Sequence, residues 1–197
     1  MVERSPFDLS GLRGLVTGAG DPDGIGIAAA KMLVSLGASV FITSTTGRIF
    51  DRAASLHGPR VHIDAGVADL TDPAQAHSIV EQAAVDGLDF VINNAGMTSK
   101  SFDAGVSGEI GSIENLSLDG WRMSMQRNLD TAFHVTQAAL PHLKNSDSGR
   151  LIYVSSVTGP LMAMEGDVAY AAAKAAVVGM MRSVALDVSR SEEHTSE

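Results

Sequence analysis

A chain of 197 residues with 45% hydrophobic and 19% charged side chains is long enough to enclose a continuous core and too apolar to stay disordered. Its formal net charge of −9 disfavours a nucleic-acid partner, and the absence of cysteine excludes disulfides, thiol nucleophiles and cysteine-held metals. The six histidines show no ligand spacing, no run reaches the length of a membrane span, and Met1 to Pro6 carries no targeting pattern. No metal is expected, and the chain reads as cytoplasmic.

In chain order, short apolar runs alternate with longer alanine-rich stretches of helical period, the pattern of a parallel sheet wrapped by helices. The first strand is placed at 14–17. It runs into Thr17-Gly18-Ala19-Gly20-Asp21-Pro22-Asp23-Gly24-Ile25-Gly26 and then a helix over 25–36. Glycine lets a backbone approach a diphosphate, and the free N–H groups of a helix start stabilise its charge. A strand, a glycine turn and a helix point to nucleotide binding, with Thr17, Gly18, Gly24, Ile25 and Gly26 as candidate contacts. Many loops use glycine only for positive φ, which is the plainer explanation.

The second strand, 39–43, ends in Ser44-Thr45-Thr46-Gly47-Arg48 without a carboxylate. An acidic residue there would accept from the 2′-hydroxyl of NAD, whereas a hydroxyl or a cation accommodates the extra phosphate of NADP. Ser44 and Arg48 therefore favour NADP, with NAD possible. Asp21 and Asp23 would oppose that phosphate if they pointed inward. Arg48 as an ordinary solvated charge opening a helix over 48–57 is the competing explanation.

The third strand, 63–68, leads to Asp69 and to a helix over 73–85, opened by Thr71-Asp72-Pro73. The fourth, 88–93, ends in Asn93-Asn94-Ala95-Gly96, and 98–116 reads as a long Gly- and Ser-rich surface loop. One long helix is expected over 118–144, a fifth strand over 151–155, and a last helix over 168–188. That helix carries Tyr170-Ala171-Ala172-Ala173-Lys174. Residues four apart share a helix face, and a cation beside a phenol favours the phenolate. It would pull the tyrosine from its free value of about 10 toward the range where it trades a proton with a substrate oxygen. A packed ring beside a solvated charge is the alternative.

Thr17-Gly18 with Gly24 and Gly26, then Asn93-Asn94-Ala95-Gly96, Ser156, and Tyr170-x-x-x-Lys174 together resemble the short-chain dehydrogenase/reductase family over roughly residues 10–188. The nearest likeness is to its 3-oxoacyl-carrier-protein reductase type. The resemblance implies a Rossmann-like, doubly wound parallel α/β sheet and an NAD(P)-dependent oxidoreductase. It would transfer hydride between the nicotinamide and a ketone or secondary alcohol. It further implies Tyr170 as general acid or base, with Lys174 tuning it and holding the nicotinamide ribose. Ser156 would donate to the substrate oxygen, and Asn128 would position a water behind the lysine. Asn94, Ala95 and Gly96 would line the adenosine side, and Asp69 would touch the adenine. Ser155 could serve in place of Ser156, but Ser156-Val157-Thr158-Gly159 aligns better with the family. Homotetramers or homodimers are implied as well, and Leu129, Ala132, Phe133, Val135, Ala138, Ala139 and Leu140 spread apolar surface consistent with such contacts, burial inside the monomer being the competing explanation.

The chain also departs from the pattern. Its glycine turn is two residues longer than usual, the segment from Gly96 to Asn128 is about ten residues longer, and the family's last strands and substrate lid are lacking. Arg190 to Glu197 can be written as the codons of a sequencing adapter read in frame. The expectation is one dinucleotide-binding oxidoreductase domain over 1–189, cut near Ser189, with a non-native tail over 190–197 and negligible activity of the chain as written. The rivals are a non-catalytic nucleotide-binding module, an inactive fragment, or a sugar-nucleotide epimerase or dehydratase.

Overall fold

Apolar runs of four to six residues form five strands: β1 (Arg13–Val16), β2 (Ser39–Ser44), β3 (Ile63–Val67), β4 (Phe90–Asn93) and β5 (Arg150–Tyr153). The computed structural model describes residues 7–58, 61–97 and 111–189. The strands are all parallel, in the order β3-β2-β1-β4-β5. The helices are α1 (Ile25–Ser35), α2 (Arg48–Ser55), α3 (Pro73–Ala83), α4 (Leu118–Met125), α5 (Thr131–Lys144) and α6 (Val168–Ser189). This is the Rossmann-like α/β architecture expected from the alternating periods.

The chain divides into two compact units. The first comprises Met1–Gly96 and Asp130–Val154 and contains the sheet with α1, α2, α3 and α5. Central strand β1 is apolar on both faces because both are covered. Leu15 joins Ile79, Val80, Val91, Val135 and Ala139 in one core, while Val16 joins Ile27, Val34, Ile42 and Ile49 in the other. The strand order reverses between β1 and β4, which opens a crevice at their carboxyl ends, where ligands of such sheets bind.

The second unit comprises Met97–Leu129 and Ser155–Glu197. In it α4 packs on α6, and the Gly111 amide donates to the Gly166 carbonyl at 3.1 Å.

Several expectations are corrected. The single helix over 118–144 is broken by a π turn at Gln126–Asp130. Asn128 Nδ2 donates at 3.0 Å to the Ser124 carbonyl, the acceptor that its own backbone N–H would use in an α-helix. Strand ends move by one or two residues. β5 stops at Tyr153, after which only the Val154 amide still reaches the neighbouring strand, at Asn93 O, 2.8 Å away. The reading that no run reaches membrane-span length is also overturned. α6, with 22 residues and a mean hydropathy of 1.2, is long and apolar enough to cross a membrane, although a helix of a globular fold passes the same test. It carries the buried Lys174 as well as Arg182 and Asp187. Most of the loop read over 98–116, and the tail over 190–197, lie outside the described residues.

Candidate functional site

The dinucleotide candidates of the first unit converge where β1 and β4 end. Thr17 is fully buried, and its hydroxyl donates to Ile92 O at 3.3 Å while accepting from the amides of Asn94 and Ala95 at 3.0 Å each. That exhausts a hydroxyl's capacity, so Thr17 acts on the site by shaping the turn. Asn94 Nδ2 donates to the carbonyls of Thr17 at 2.9 Å and Gly18 at 3.1 Å, stitching the glycine turn to the end of β4. Gly18 has φ +69°, and a Cβ there would stand 2.8 Å from Ala95 Cα. Gly26 packs against the same Asn94 amide. Gly96, at φ 154°, follows directly and is exposed.

Helix α1 begins at Gly24 with no side-chain cap, whereas Asp72 caps α3 and Ser117 caps α4. Its first amides thus have no side-chain cap, an arrangement compatible with an anion such as a diphosphate. Ile25 opens the helix with two thirds of its surface exposed, an apolar side chain beside that anion position. Asp21 is turned onto its own loop, accepting from the Asp23 amide at 3.1 Å.

Ser44 and Arg48 both approach Gly20. A Cβ on that glycine would meet Ser44 Cβ at 2.8 Å and Arg48 Nε at 3.5 Å. The Ser44 hydroxyl donates to Thr46 O at 2.9 Å, and Arg48 is exposed at the first position of α2, whose N-cap Gly47 also provides no side-chain bond. Sequence reasoning missed Arg52, whose Nε donates to Gly20 O at 3.4 Å. Its position four residues after Arg48, on the same helix face, was the available signal. Asp69 is exposed and spends one carboxylate oxygen on the Thr71 amide at 3.0 Å and hydroxyl at 2.7 Å.

The acid–base candidates lie in the second unit. Tyr170 and Lys174 occupy one face of the first turns of α6, with Lys174 Nζ 5.9 Å from the Tyr170 ring centroid. Lys174 is only 5% exposed, and burial holds its pKa below the usual lysine value of 10.5. Ser156 Oγ accepts from the Thr158 amide at 3.1 Å, which leaves the hydroxyl proton for another acceptor. Adjacent Ser155 instead donates to the Lys174 carbonyl at 2.9 Å. Asn128, 1% exposed, holds the Met97 backbone from both sides: Oδ1 accepts from its amide and Nδ2 donates to its carbonyl, each at 3.0 Å. The amide of Asn128 is therefore a backbone clamp, and the π turn around it releases carbonyls from the regular helical ladder. Among the described residues no group of three or more His, Asp or Glu side chains is placed to hold a metal ion.

The sequence profile of the short chain dehydrogenase family matches residues 14–192. The oxidoreductase UcpA of Escherichia coli strain K12 is 32% identical over 185 residues, covering 93% of this chain and 66% of that protein. The 3-oxoacyl-acyl-carrier-protein reductase FabG of Salmonella typhimurium is 31% identical over 184 residues, covering 92% and 69%. A crystal structure of a short chain dehydrogenase from Burkholderia cenocepacia, in complex with NADP, superposes with a TM-score of 0.80 at 32% identity, covering 93% of this chain and 71% of that one. The chain thus spans about two thirds of the length of the curated relatives it matches. With the family profile running through nearly all of it and the parallel sheet closing on a glycine turn, this chain belongs to the short chain dehydrogenase family.

Proposed function

We propose that the protein is an NADP-preferring oxidoreductase of the 3-oxoacyl reductase type, passing hydride between nicotinamide and a ketone or secondary alcohol. The observation that carries this reading is the first part of α6, where a buried ammonium lies over the ring of a tyrosine. A buried lysine cation is costly and is kept where charge has work to do.

When bound, the nicotinamide cofactor gives or takes the hydride. The glycine turn from Gly18 to Gly26 and the uncapped start of α1 would hold the diphosphate, with Ile25 beside it. Asn94, Ala95, Gly96 and Asp69 would border the adenosine. Ser44 and Arg48 would receive the 2′-phosphate, and Arg48, exposed at the start of α2, is well placed to meet solvent-borne anionic charge. In the direction of reduction the Tyr170 hydroxyl would give its proton to the substrate oxygen while the Ser156 hydroxyl donates a hydrogen bond to it. Lys174 would hold the ribose and restore the Tyr170 proton, with Asn128 fixing the helix turn from which a water could be supplied. The reading treats 1–189 as one oxidoreductase domain acting in the cytoplasm as a homo-oligomer. Phe133 on α5, 46% exposed, supports a subunit contact there.

The test is to follow NADPH consumption by the full-length protein, since this chain spans about two thirds of its curated relatives, with a panel of ketones and 3-oxoacyl thioesters. Carbonyl-dependent oxidation is expected. Tight NADPH binding with no carbonyl reduced would leave a binding module in place of an enzyme.

A further inference from the structure

We propose that Ser155 is a positioning residue that fixes the Ser156 hydroxyl relative to the Tyr170 and Lys174 turn of α6. The proposal rests on the oxidoreductase reading above and concerns a residue to which that reading gives no role.

Two separate contacts carry it. Ser155 Oγ donates to the Lys174 carbonyl oxygen at 2.9 Å, in a half-buried setting. A helical carbonyl has two lone pairs and the helix ladder uses one, so the serine adds a fastening without breaking the helix. Four residues on, Gly159 has φ +99° and lies so close to α6 that a Cβ would overlap the Ala171 carbonyl oxygen. Residues 155–159 are thereby bonded to α6 at the Lys174 carbonyl and packed closely against the Ala171 carbonyl three residues before it, on the turn that carries Tyr170 and Lys174.

Ser156 lies between these contacts. Within the segment, the buried Thr158 donates its amide to Ser156 Oγ at 3.1 Å and fixes the side from which that oxygen accepts. The direction of the remaining hydroxyl proton then follows from the placement of the segment. Removing the Ser155 hydroxyl releases one end, and the donor is free to shift by fractions of an ångström. A displacement of that order at a reacting centre reduces turnover steeply without weakening the grip on the cofactor.

The experiment compares Ser155→Ala, Ser155→Thr, Ser156→Ala and the double alanine variant of the full-length protein by steady-state kinetics and NADPH titration. Ser155→Ala is expected to lower kcat by about 10- to 100-fold with the NADPH Kd unchanged, and Ser155→Thr, which keeps the hydroxyl, to recover most of it. The double variant should be no slower than Ser156→Ala alone, because Ser155 acts through Ser156. A wild-type kcat in Ser155→Ala, or losses that multiply in the double variant, would overturn the proposal. Amide hydrogen exchange gives a readout that needs no turnover. Exchange at Thr158 should quicken in Ser155→Ala while β1 and β4 stay protected, and unchanged exchange at Thr158 would also overturn it. If the wild-type protein reduces no carbonyl, the oxidoreductase reading fails by itself, and hydrogen exchange still decides whether Ser155 fastens the segment.

Discussion

Lys174 Nζ stands 5.9 Å from the centroid of the Tyr170 ring, so the cation lies over the aromatic face one helical turn away. The ring's negative face offsets part of the cost of burying an ammonium that is only 5% exposed. Both residues take this arrangement from α6, which begins at Val168 and fixes side chains four positions apart on one stripe.

The two tyrosines of the chain should behave in opposite ways. Tyr153, on β5, bonds Thr136 Oγ1 at 2.9 Å, and Thr136 in turn accepts from Asn93 Nδ2 at 3.2 Å. Burial, partly offset by the Thr136 bond, raises the Tyr153 pKa above 10.0, so its phenol is a neutral structural group. Tyr170→Phe is expected to cut kcat by about 10²–10⁴-fold with NADPH binding retained. Tyr153→Phe should leave kcat close to wild type and lower the Tm through the lost bond. Steady-state rates and thermal melts of both variants check this, and a fully active Tyr170→Phe would remove the tyrosine from the mechanism.

Lys174 makes stability depend on pH in a defined direction. Its folded pKa lies below 10.5, so the folded state sheds the proton first, and stability rises as pH climbs from that lowered pKa to 10.5. Lys174→Met removes this titration, so the stability of wild type relative to Lys174→Met should rise as pH climbs from the lowered pKa toward 10.5. Urea melts of both proteins across this range report it, and a difference that stays constant with pH would show that burial does not lower the Lys174 pKa.

Gly18→Ala tests the glycine turn. Its φ of +69° and the approach to Ala95 leave no room for a side chain. A loss of about 1–3 kcal/mol in stability is expected, together with weaker NADPH binding. Denaturant melts and a cofactor titration measure the two effects.

Arg48→Ala addresses cofactor choice. The Kd for NADPH should rise by about tenfold or more while that for NADH hardly changes, because the role proposed for the guanidinium is toward the 2′-phosphate, which NADH lacks. Equal effects on both cofactors would assign Arg48 to the fold of α2.

Much of this was legible because it is local. The alternation of apolar runs with helical stretches gave the five strands and their helices, and the glycine turn between β1 and α1 stands where its spacing placed it. What was misread was decided at a distance. The helix expected over 118–144 is interrupted because the Asn128 side chain competes for the Ser124 carbonyl while gripping Met97, 31 residues away in sequence. No period within the helix announces that.

By itself, the sequence determined the strands and most of the helices, the glycine turn after the first strand, and the spacing of Tyr170 and Lys174, since each follows from periodicity or from a spacing of a few residues. The strand order that opens the crevice between β1 and β4 came from the fold. Only the tertiary structure decided how each polar group is employed. It committed the hydroxyl of Thr17 to Asn94 and Ala95, tied Ser155 to the Lys174 carbonyl, and left the Ser156 proton available. Two adjacent serines are identical in composition and spacing. The physical difference between them is the partner that folding brings to each.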